Sequence, residues 1–310
     1  MPTAVQPQWI AVDWGTTNMR AFALQGADRV LARSDGPGLS DLTGGGPPAF
    51  DEALRLAIEP WLGDATMPVV MCGMVGSRQG WKEAPYLKTP ASLFEIGNRL
   101  VPVSSADPRL RAAIVPGLAQ SAPPDVMRGE ETQLLGVLRE CGDRAPICLP
   151  GTHSKWAFVK DGTVERFSTA MTGELFSLLR ERSILRHSMA PTDHMDPDAF
   201  AAAVKRSFRA PQDLMTALFG VRARTLLQAS QDAEAMAELS GLLLGAEFAG
   251  ALPHDVDHVV LVGEPKLTGT YAQGLKALGR SSSEHDGSDA AIRGLATVSG
   301  VLESSLKVPA

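Results

Sequence analysis

A chain of 310 residues with 44% hydrophobic and 21% charged content can bury a full core, and its length favours two domains over one. A net charge of −6, with no window of clustered Lys and Arg, argues against nucleic-acid or membrane-surface binding. Cys72, Cys141 and Cys148 form no C-x-x-C pair, so neither a disulfide framework nor a zinc ribbon is supported and a reducing cytoplasm fits best.

Met1 to Gln8 has no positive or apolar leader character, and no run of about 18 apolar residues occurs; export and membrane anchoring are not expected. Trp9–Asp13, Arg20–Leu24 and Arg29–Arg33 read as three strands punctuated by Gly15 and Gly26. After a Gly/Pro-rich stretch from Asp35 to Pro48, the residues Phe50, Leu54, Ala57 and Trp61 repeat at helical spacing, with Pro48 placed to start that helix. Pro68–Cys72 and Ala112–Val115 read as buried strands running into Gly73 and Gly117. Loops after buried strands are common places for sites.

A single ungapped offset superposes Gly15-Thr16 on Gly151-Thr152, Ala21-Phe22 on Ala157-Phe158 and Gly26 on Gly162. The second copy is again a strand-turn-strand meander: Ile147–Leu149, Trp156–Lys160, a turn at Lys160-Asp161-Gly162, and Val164–Ser168. The repeat predicts two related α/β domains, 1–142 and 143–288, with a boundary near Cys141 to Ala145. Helices are expected at Gly173–Arg182, Pro197–Phe208 and Asp232–Ala251, then a buried strand at Val259–Val262. Residues 289–310 are expected to add a helix, Asp289–Leu302, that packs back on the first domain.

Five segments carry candidate chemistry. In Asp13-Trp14-Gly15-Thr16-Thr17-Asn18-Met19-Arg20 the glycine allows close backbone approach and the amides and hydroxyls can donate to phosphate oxygens; Asp13 suits Mg2+ beside the phosphates. An ordinary hairpin whose Asp and Thr satisfy turn amides is the competing interpretation. Pro150-Gly151-Thr152-His153-Ser154-Lys155 repeats the donor-rich turn without the acid. Arg128-Gly129-Glu130-Glu131-Thr132-Gln133 opens a helix whose carboxylates either complement the helix dipole or orient a hydroxyl and accept its proton. Gly73-Met74-Val75-Gly76-Ser77-Arg78, continuing through Trp81, Lys82 and Tyr86, offers hydrogen bonds and cations to a hydroxylated acid, Arg78 and Lys82 being the carboxylate candidates. Val259–Val262 ending at Gly263-Glu264, with a helix from about Thr268, can accommodate adenine or ribose. The pairs His187/His194 and His254/His258 lack a third metal ligand. Walker A, G-x-G-x-x-G and protein-kinase signatures are all missing from the sequence.

The order of these pieces resembles the actin-like ATPase superfamily. More closely, Cys72-Gly73-Met74-Val75-Gly76-Ser77, Arg128-Gly129-Glu130-Glu131-Thr132-Gln133 and Leu149-Pro150-Gly151-Thr152-His153-Ser154-Lys155-Trp156 resemble the 2-dehydro-3-deoxygalactonokinase family. That resemblance implies two duplicated actin-like, ribonuclease H-like domains with mixed sheets flanked by helices and an interdomain cleft for ATP and substrate. It implies ATP- and Mg2+-dependent phosphorylation of 2-dehydro-3-deoxy-D-galactonate at its 6-hydroxyl. Carried over by residue, the resemblance implies that Asp13 attends the metal and that Gly15, Thr16, Thr17, Gly151, Thr152 and His153 surround the phosphates; Arg20, Ser154 and Lys155 join them as neighbouring donors, and Gly263 and Glu264, where the superfamily usually has paired glycines, are expected by the adenosine. The resemblance implies Glu130 as the base, with Glu131 its rival; by the chemistry of their segments rather than by the resemblance, Gly73, Met74, Ser77, Arg78, Trp81, Lys82, Tyr86 and Arg128 are expected to face the substrate. A kinase of another sugar or sugar acid, of the gluconate or pentulose type, and a noncatalytic ATP sensor on the same fold are the alternatives. The expected partner is a small sugar acid, with no nucleic acid and no membrane; self-association is left open.

Overall fold

A computed structural model describes residues 5–141, 145–189, 195–228, 232–253 and 255–306. The chain divides into two compact units: Met1–Arg144, Val159–Arg166 and Gly287–Ala310 form the first, and Ala145–Phe158 with Phe167–Asp286 the second. Within the boundary expected near Cys141 to Ala145, residues 142–144 lie outside the described residues.

Unit 1 runs β1 (Trp9–Trp14), β2 (Asn18–Gln25), β3 (Arg29–Pro37), the single turn α1 (Leu39–Leu42), α2 (Gly46–Ile58), β4 (Met67–Gly73), the short strands β5 (Leu87–Lys88), β6 (Ala91–Ser92) and β7 (Val101–Val103), then β8 (Leu110–Ile114), β9 (Leu118–Ser121), β10 (Pro124–Met127) and α3 (Glu130–Cys141). Its main sheet has the order β3-β2-β1-β4-β8-β7. β1 is antiparallel to β2 and parallel to β4, which makes it a central strand. Its burial on both faces explains why Trp-Ile-Ala-Val-Asp-Trp reads as a nearly continuous apolar run rather than an alternating one.

α2 lays Phe50, Ala53, Leu54 and Ile58 against this sheet, the i, i+3, i+4 pattern of a single buried face. Trp14 packs against Phe50 at 5.5 Å and Trp81 at 6.5 Å between ring centroids. Each buried aromatic contributes roughly 2–3 kcal/mol by area removed from water.

Unit 2 contains β11 (Ile147–Leu149), β12 (Ser154–Lys160), β13 (Thr163–Ala170, whose first residues belong to unit 1), α4 (Thr172–Arg182), α5 (Pro197–Arg209), α6 (Leu214–Gln228), α7 (Asp232–Ala251), β14 (His258–Gly263), α8 (Pro265–Ala277) and β15 (Ser281–Asp286). Its strands are ordered β15-β14-β11-β12, with β11 antiparallel to β12 and parallel to β14. Asp161 at φ 49° and Gly162 at φ 71° build the tight turn that reverses the chain after β12. α5 and α7 pack closely because Gly241 and Gly245 of α7 lie on the backbone of α5: a Cβ on Gly241 would stand 2.5 Å from the Phe200 carbonyl oxygen.

The chain then returns to unit 1 as α9 (Gly287–Leu306). α9 packs along α3, where a Cβ on Gly136 would overlap the Ala290 carbonyl oxygen and one on Gly294 that of Thr132. Besides the short elements α1, β5, β6, β7, β9 and β10, two longer ones escape the sequence reading. β15 is Ser-Ser-Ser-Glu-His-Asp, an edge strand with no apolar pattern, held by six parallel pairings to β14. α6 buries Val221 but leaves Met215, Phe219, Leu226 and Leu227 exposed, so its apolar residues trace no single stripe.

Candidate active site

In unit 1 the end of the central sheet is drawn together by three close approaches. Gly73, at φ 89°, ends β4 beside Trp14, where a Cβ would stand 2.6 Å from the Trp14 carbonyl oxygen. Gly129, at φ 106°, abuts Gly73 in turn: a Cβ on it would stand 3.2 Å from the Gly73 Cα. Glycine is needed at both points for conformation and for space. The consequence is that Asp13, opposite Cys72 in the parallel register, and the first turn of α3 lie at one place.

Asp13 is half-buried; Arg20 Nη1 is 3.4 Å from its Oδ2 and the Cys72 thiol 4.0 Å from Oδ1. Burial raises its carboxyl above the ordinary range, Arg20 opposes that shift, and the nearby Glu130 charge adds to it. The turn after it is secured by backbone: Gly15 N–H donates to Asn18 at 2.9 Å, and Leu39 and Ser40 N–H donate to the Gly15 and Thr16 carbonyls. Thr16 and Thr17 themselves are exposed.

Glu130 and Glu131 occupy different worlds one residue apart. Glu130 is half-buried, with Oε2 accepting from the Arg128 N–H at 2.9 Å. Glu131 is wholly buried; its carboxyl receives the Gly129 N–H at 2.7 and 3.0 Å and the Thr132 hydroxyl at 3.0 Å. Burial, then the Glu130 charge, pushes Glu131 up to about 8 against those hydrogen bonds. Glu131 thus ties the start of α3 to its own backbone, whereas Glu130 is the one of the two that a substrate can reach.

The segment from Gly73 to Tyr86 is less exposed than its composition predicts. Trp81 belongs to the hydrophobic core and Ser77 is buried, while Met74 is half-buried. Lys82 Nζ donates to the Pro102 carbonyl at 2.7 Å, and Arg78, with its side chain 84% exposed, lies 3.9 Å from Glu83. Arg128 is buried beneath the ring of Tyr86, with its guanidinium carbon 4.3 Å from the ring centroid.

In unit 2, Gly151-Thr152-His153 is the exposed turn between β11 and β12. Gly173 at the start of α4 sits on it so closely that a Cβ would overlap the Gly151 carbonyl oxygen. The Glu174 N–H donates to the Thr152 carbonyl at 3.0 Å, and the Glu174 carboxylate meets His153 Nε2 at 2.5 Å. The turn therefore rests on a helix N-terminus, a favourable place for an anion.

Ser154 and Lys155, expected among the phosphate donors, have other work. Ser154 is wholly buried with Oγ 2.6 Å from the Tyr271 hydroxyl, and the Lys155 ammonium donates to the His153 carbonyl at 3.1 Å. The alternation of a strand explains it, since β12 begins at Ser154 and its side chains leave the turn. Tyr271 in turn donates to Glu247 Oε2 at 2.9 Å, and Trp156 Nε1 to Glu247 Oε1 at 2.8 Å. Burial raises the Glu247 carboxyl, while Thr172, Trp156 and Tyr271 favour its ionised form. The sequence reading missed this network; its signal was a single charged residue in the otherwise apolar stretch 241–251.

Beside the turn lies a cavity of about 350 Å3, bounded by Gly151, Thr172 and Gly173 and by the apolar walls of Phe176, Met236, Leu243 and Leu244. Glu264 borders it and caps α8 through the Lys266 N–H, while Gly263 closes β14 against the Pro150 carbonyl. An apolar slot opening onto a donor-rich turn suits a planar base joined to phosphates. Its walls come from α4 and α7, which no short motif marks. Of the histidine pairs, His194 and His254 lie outside the described residues, and among the described residues no three His, Cys, Asp or Glu side chains form a metal cage.

The profile of the family described as 2-keto-3-deoxy-galactonokinase matches residues 13–298. A probable 2-dehydro-3-deoxygalactonokinase of Rhizobium meliloti (strain 1021) is 42% identical over 93% of this chain and 95% of its own length. The 2-dehydro-3-deoxygalactonokinase of Escherichia coli (strain K12) is 38% identical over 88% and 90%. The crystal structure of a putative 2-dehydro-3-deoxygalactonokinase protein from Sinorhizobium meliloti superposes with a TM-score of 0.87 at 39% identity, covering 97% of this chain and 98% of that one. The activator of the 2-hydroxyisocaproyl-CoA dehydratase from Clostridium difficile, solved with bound ADPNP, shares the fold at a TM-score of 0.50 and 13% identity, over 97% and 98%. With a mixed α/β architecture and sequence matches over nearly its whole length, the chain belongs to the 2-keto-3-deoxy-galactonokinase family.

Proposed function

We infer that this protein transfers the terminal phosphoryl group of ATP to the 6-hydroxyl of 2-dehydro-3-deoxy-D-galactonate, a step of galactonate catabolism. Membership of the family supports the reaction. The observation that carries the chemistry is the reachable Glu130 carboxylate at the start of α3, electrostatically coupled to Asp13 at the end of β1.

Glu130 orients the substrate hydroxyl and accepts its proton as the oxygen–phosphorus bond forms; the bond between that phosphorus and the ADP oxygen breaks, and ADP leaves. In each unit an exposed turn, at Gly15-Thr16-Thr17 in the first and Gly151-Thr152-His153 in the second, offers N–H and O–H donors suited to phosphate oxygens. The cavity bounded by Phe176, Met236, Leu243 and Leu244 receives the adenosine. A Mg2+ ion fits Asp13: a half-buried carboxylate whose pKa burial raises is best kept ionised by a cation, and Mg2+ is commonly held by one or two carboxylates, with phosphates and water completing the shell. When bound, the ion neutralises charge on the phosphates. We place the enzyme in the reducing cytoplasm, in keeping with its free cysteines.

The test is an ADP-release assay across 2-dehydro-3-deoxy sugar acids, with gluconate- and pentulose-type substrates alongside. Stimulation by the galactonate-series acid is expected. Stimulation by another sugar alone would move the substrate, and ADP release indifferent to every sugar would end the kinase reading in favour of a sensor.

A further inference from the structure

Arg128 is 9% exposed, yet its positive charge has little to answer it. Nη2 donates to the Ala84 carbonyl at 2.8 Å and the face of the guanidinium lies on Tyr86, but buried Nε and Nη1 have no hydrogen-bond partner. Among the described residues it forms no ion pair with a carboxylate. The Ser77 hydroxyl, 8% exposed, is also buried without a partner. The two belong to one corner: a Cβ on Gly76, the residue before Ser77, would stand 2.9 Å from Arg128 Nη1.

A buried cation with unused donors is costly, and proteins ordinarily pair it. Cation–π contact with Tyr86 offsets part of the charge and satisfies no N–H. The complementary group is a carboxylate, whose two oxygens accept from a guanidinium fork and a neighbouring hydroxyl. The cation lies one side chain from solvent, because the covering Tyr86 is itself 39% exposed. It also lies on the turn that carries the base, since the Arg128 N–H donates to Glu130. Arg78 and Lys82, the cations the sequence puts forward for this task, are respectively solvated beside Glu83 and bonded to the Pro102 carbonyl.

We propose that Arg128, assisted by Ser77, receives the carboxylate of the sugar-acid substrate and so selects acids over neutral sugars. The proposal rests on the kinase reading above. Its test compares the kinetics of wild type, Arg128→Gln, Arg128→Lys and Ser77→Ala on 2-dehydro-3-deoxygalactonate and on its neutral carboxamide. Wild type is expected to prefer the acid by about 100-fold in kcat/KM, the scale for a buried charge pair losing one partner. Arg128→Gln should lose about that factor on the acid, chiefly in KM, and stay within about threefold on the amide; Arg128→Lys and Ser77→Ala should each keep part of the preference. Equal loss on both compounds, or a preference unchanged in Arg128→Gln, would overturn the proposal. If Arg128→Gln does not fold, an unchanged preference in both Arg128→Lys and Ser77→Ala overturns it. Wild type turning over the acid and the amide equally would do the same, with the kinase reading intact. Wild type turning over neither would overturn the kinase reading and this proposal with it.

Discussion

Glu130 and Glu131 differ in chemistry because the first turn of α3 turns one side chain inward and leaves its neighbour half-buried. Glu130→Gln is expected to lower kcat by about 10²–10⁴-fold, the usual worth of a general base, with ADP binding unchanged by calorimetry. Glu131→Gln keeps an acceptor for the Gly129 N–H and is expected to retain most of the turnover. Its signature is in stability. Glu131 is held at about 8 in the fold against an ordinary 4.5, so its contribution is complete below the unfolded value and is lost as pH rises toward the folded one. Wild type should therefore lose stability between about pH 5 and 8, on the order of a few kcal/mol, and Glu131→Gln should flatten that slope in urea titrations, leaving the Asp13 and Glu247 contributions of the same sign. A slope equally steep in Glu131→Gln would contradict the assignment.

Between elements, glycine sets the distances. The α3–α9 pair approaches closely through Gly136 and Gly294, each against a carbonyl of the facing helix, and the α5–α7 pair does so through Gly241 and Gly245. Interiors packed at crystal-like density have no slack for an added methyl at such a contact. Gly294→Ala is expected to cost about 2–3 kcal/mol, read as a lower urea midpoint at unchanged m-value. Gly300→Ala on the same helix, where a Cβ meets nothing within 4 Å, is the control and should be neutral or stabilising by up to about 1 kcal/mol from helix propensity.

At the scale of the molecule, a nucleotide that binds only the folded chain must stabilise it. ADP at about a hundred times its Kd should add about 2.7 kcal/mol, and Gly173→Val, which drives a side chain into the Gly151 carbonyl, should abolish that protection in a thermal-shift measurement while the protein without nucleotide stays folded. Much of the architecture was legible because it is local. The apolar run Trp9–Asp13, the Asp161-Gly162 turn, and Phe50 and Leu54 of the α2 stripe declare themselves by periodicity and turn chemistry, whereas Ala57 is half-buried and Trp61 falls beyond the helix. The exposed turns after β1 and β11 and the helix start at Glu130 were legible as motifs. The polar edge strand β15 was not, since its six pairings with β14 reward backbone rather than side chains, nor was the cavity wall shared by α4 and α7. By itself the sequence determined that most of the longer elements exist and which turns present donors, because those depend on neighbours along the chain. Only the tertiary structure decided that Glu131, Ser154 and Trp81 are buried and that Arg128 sits beneath Tyr86 with donors unused, because burial and pairing are set by residues far apart in the chain.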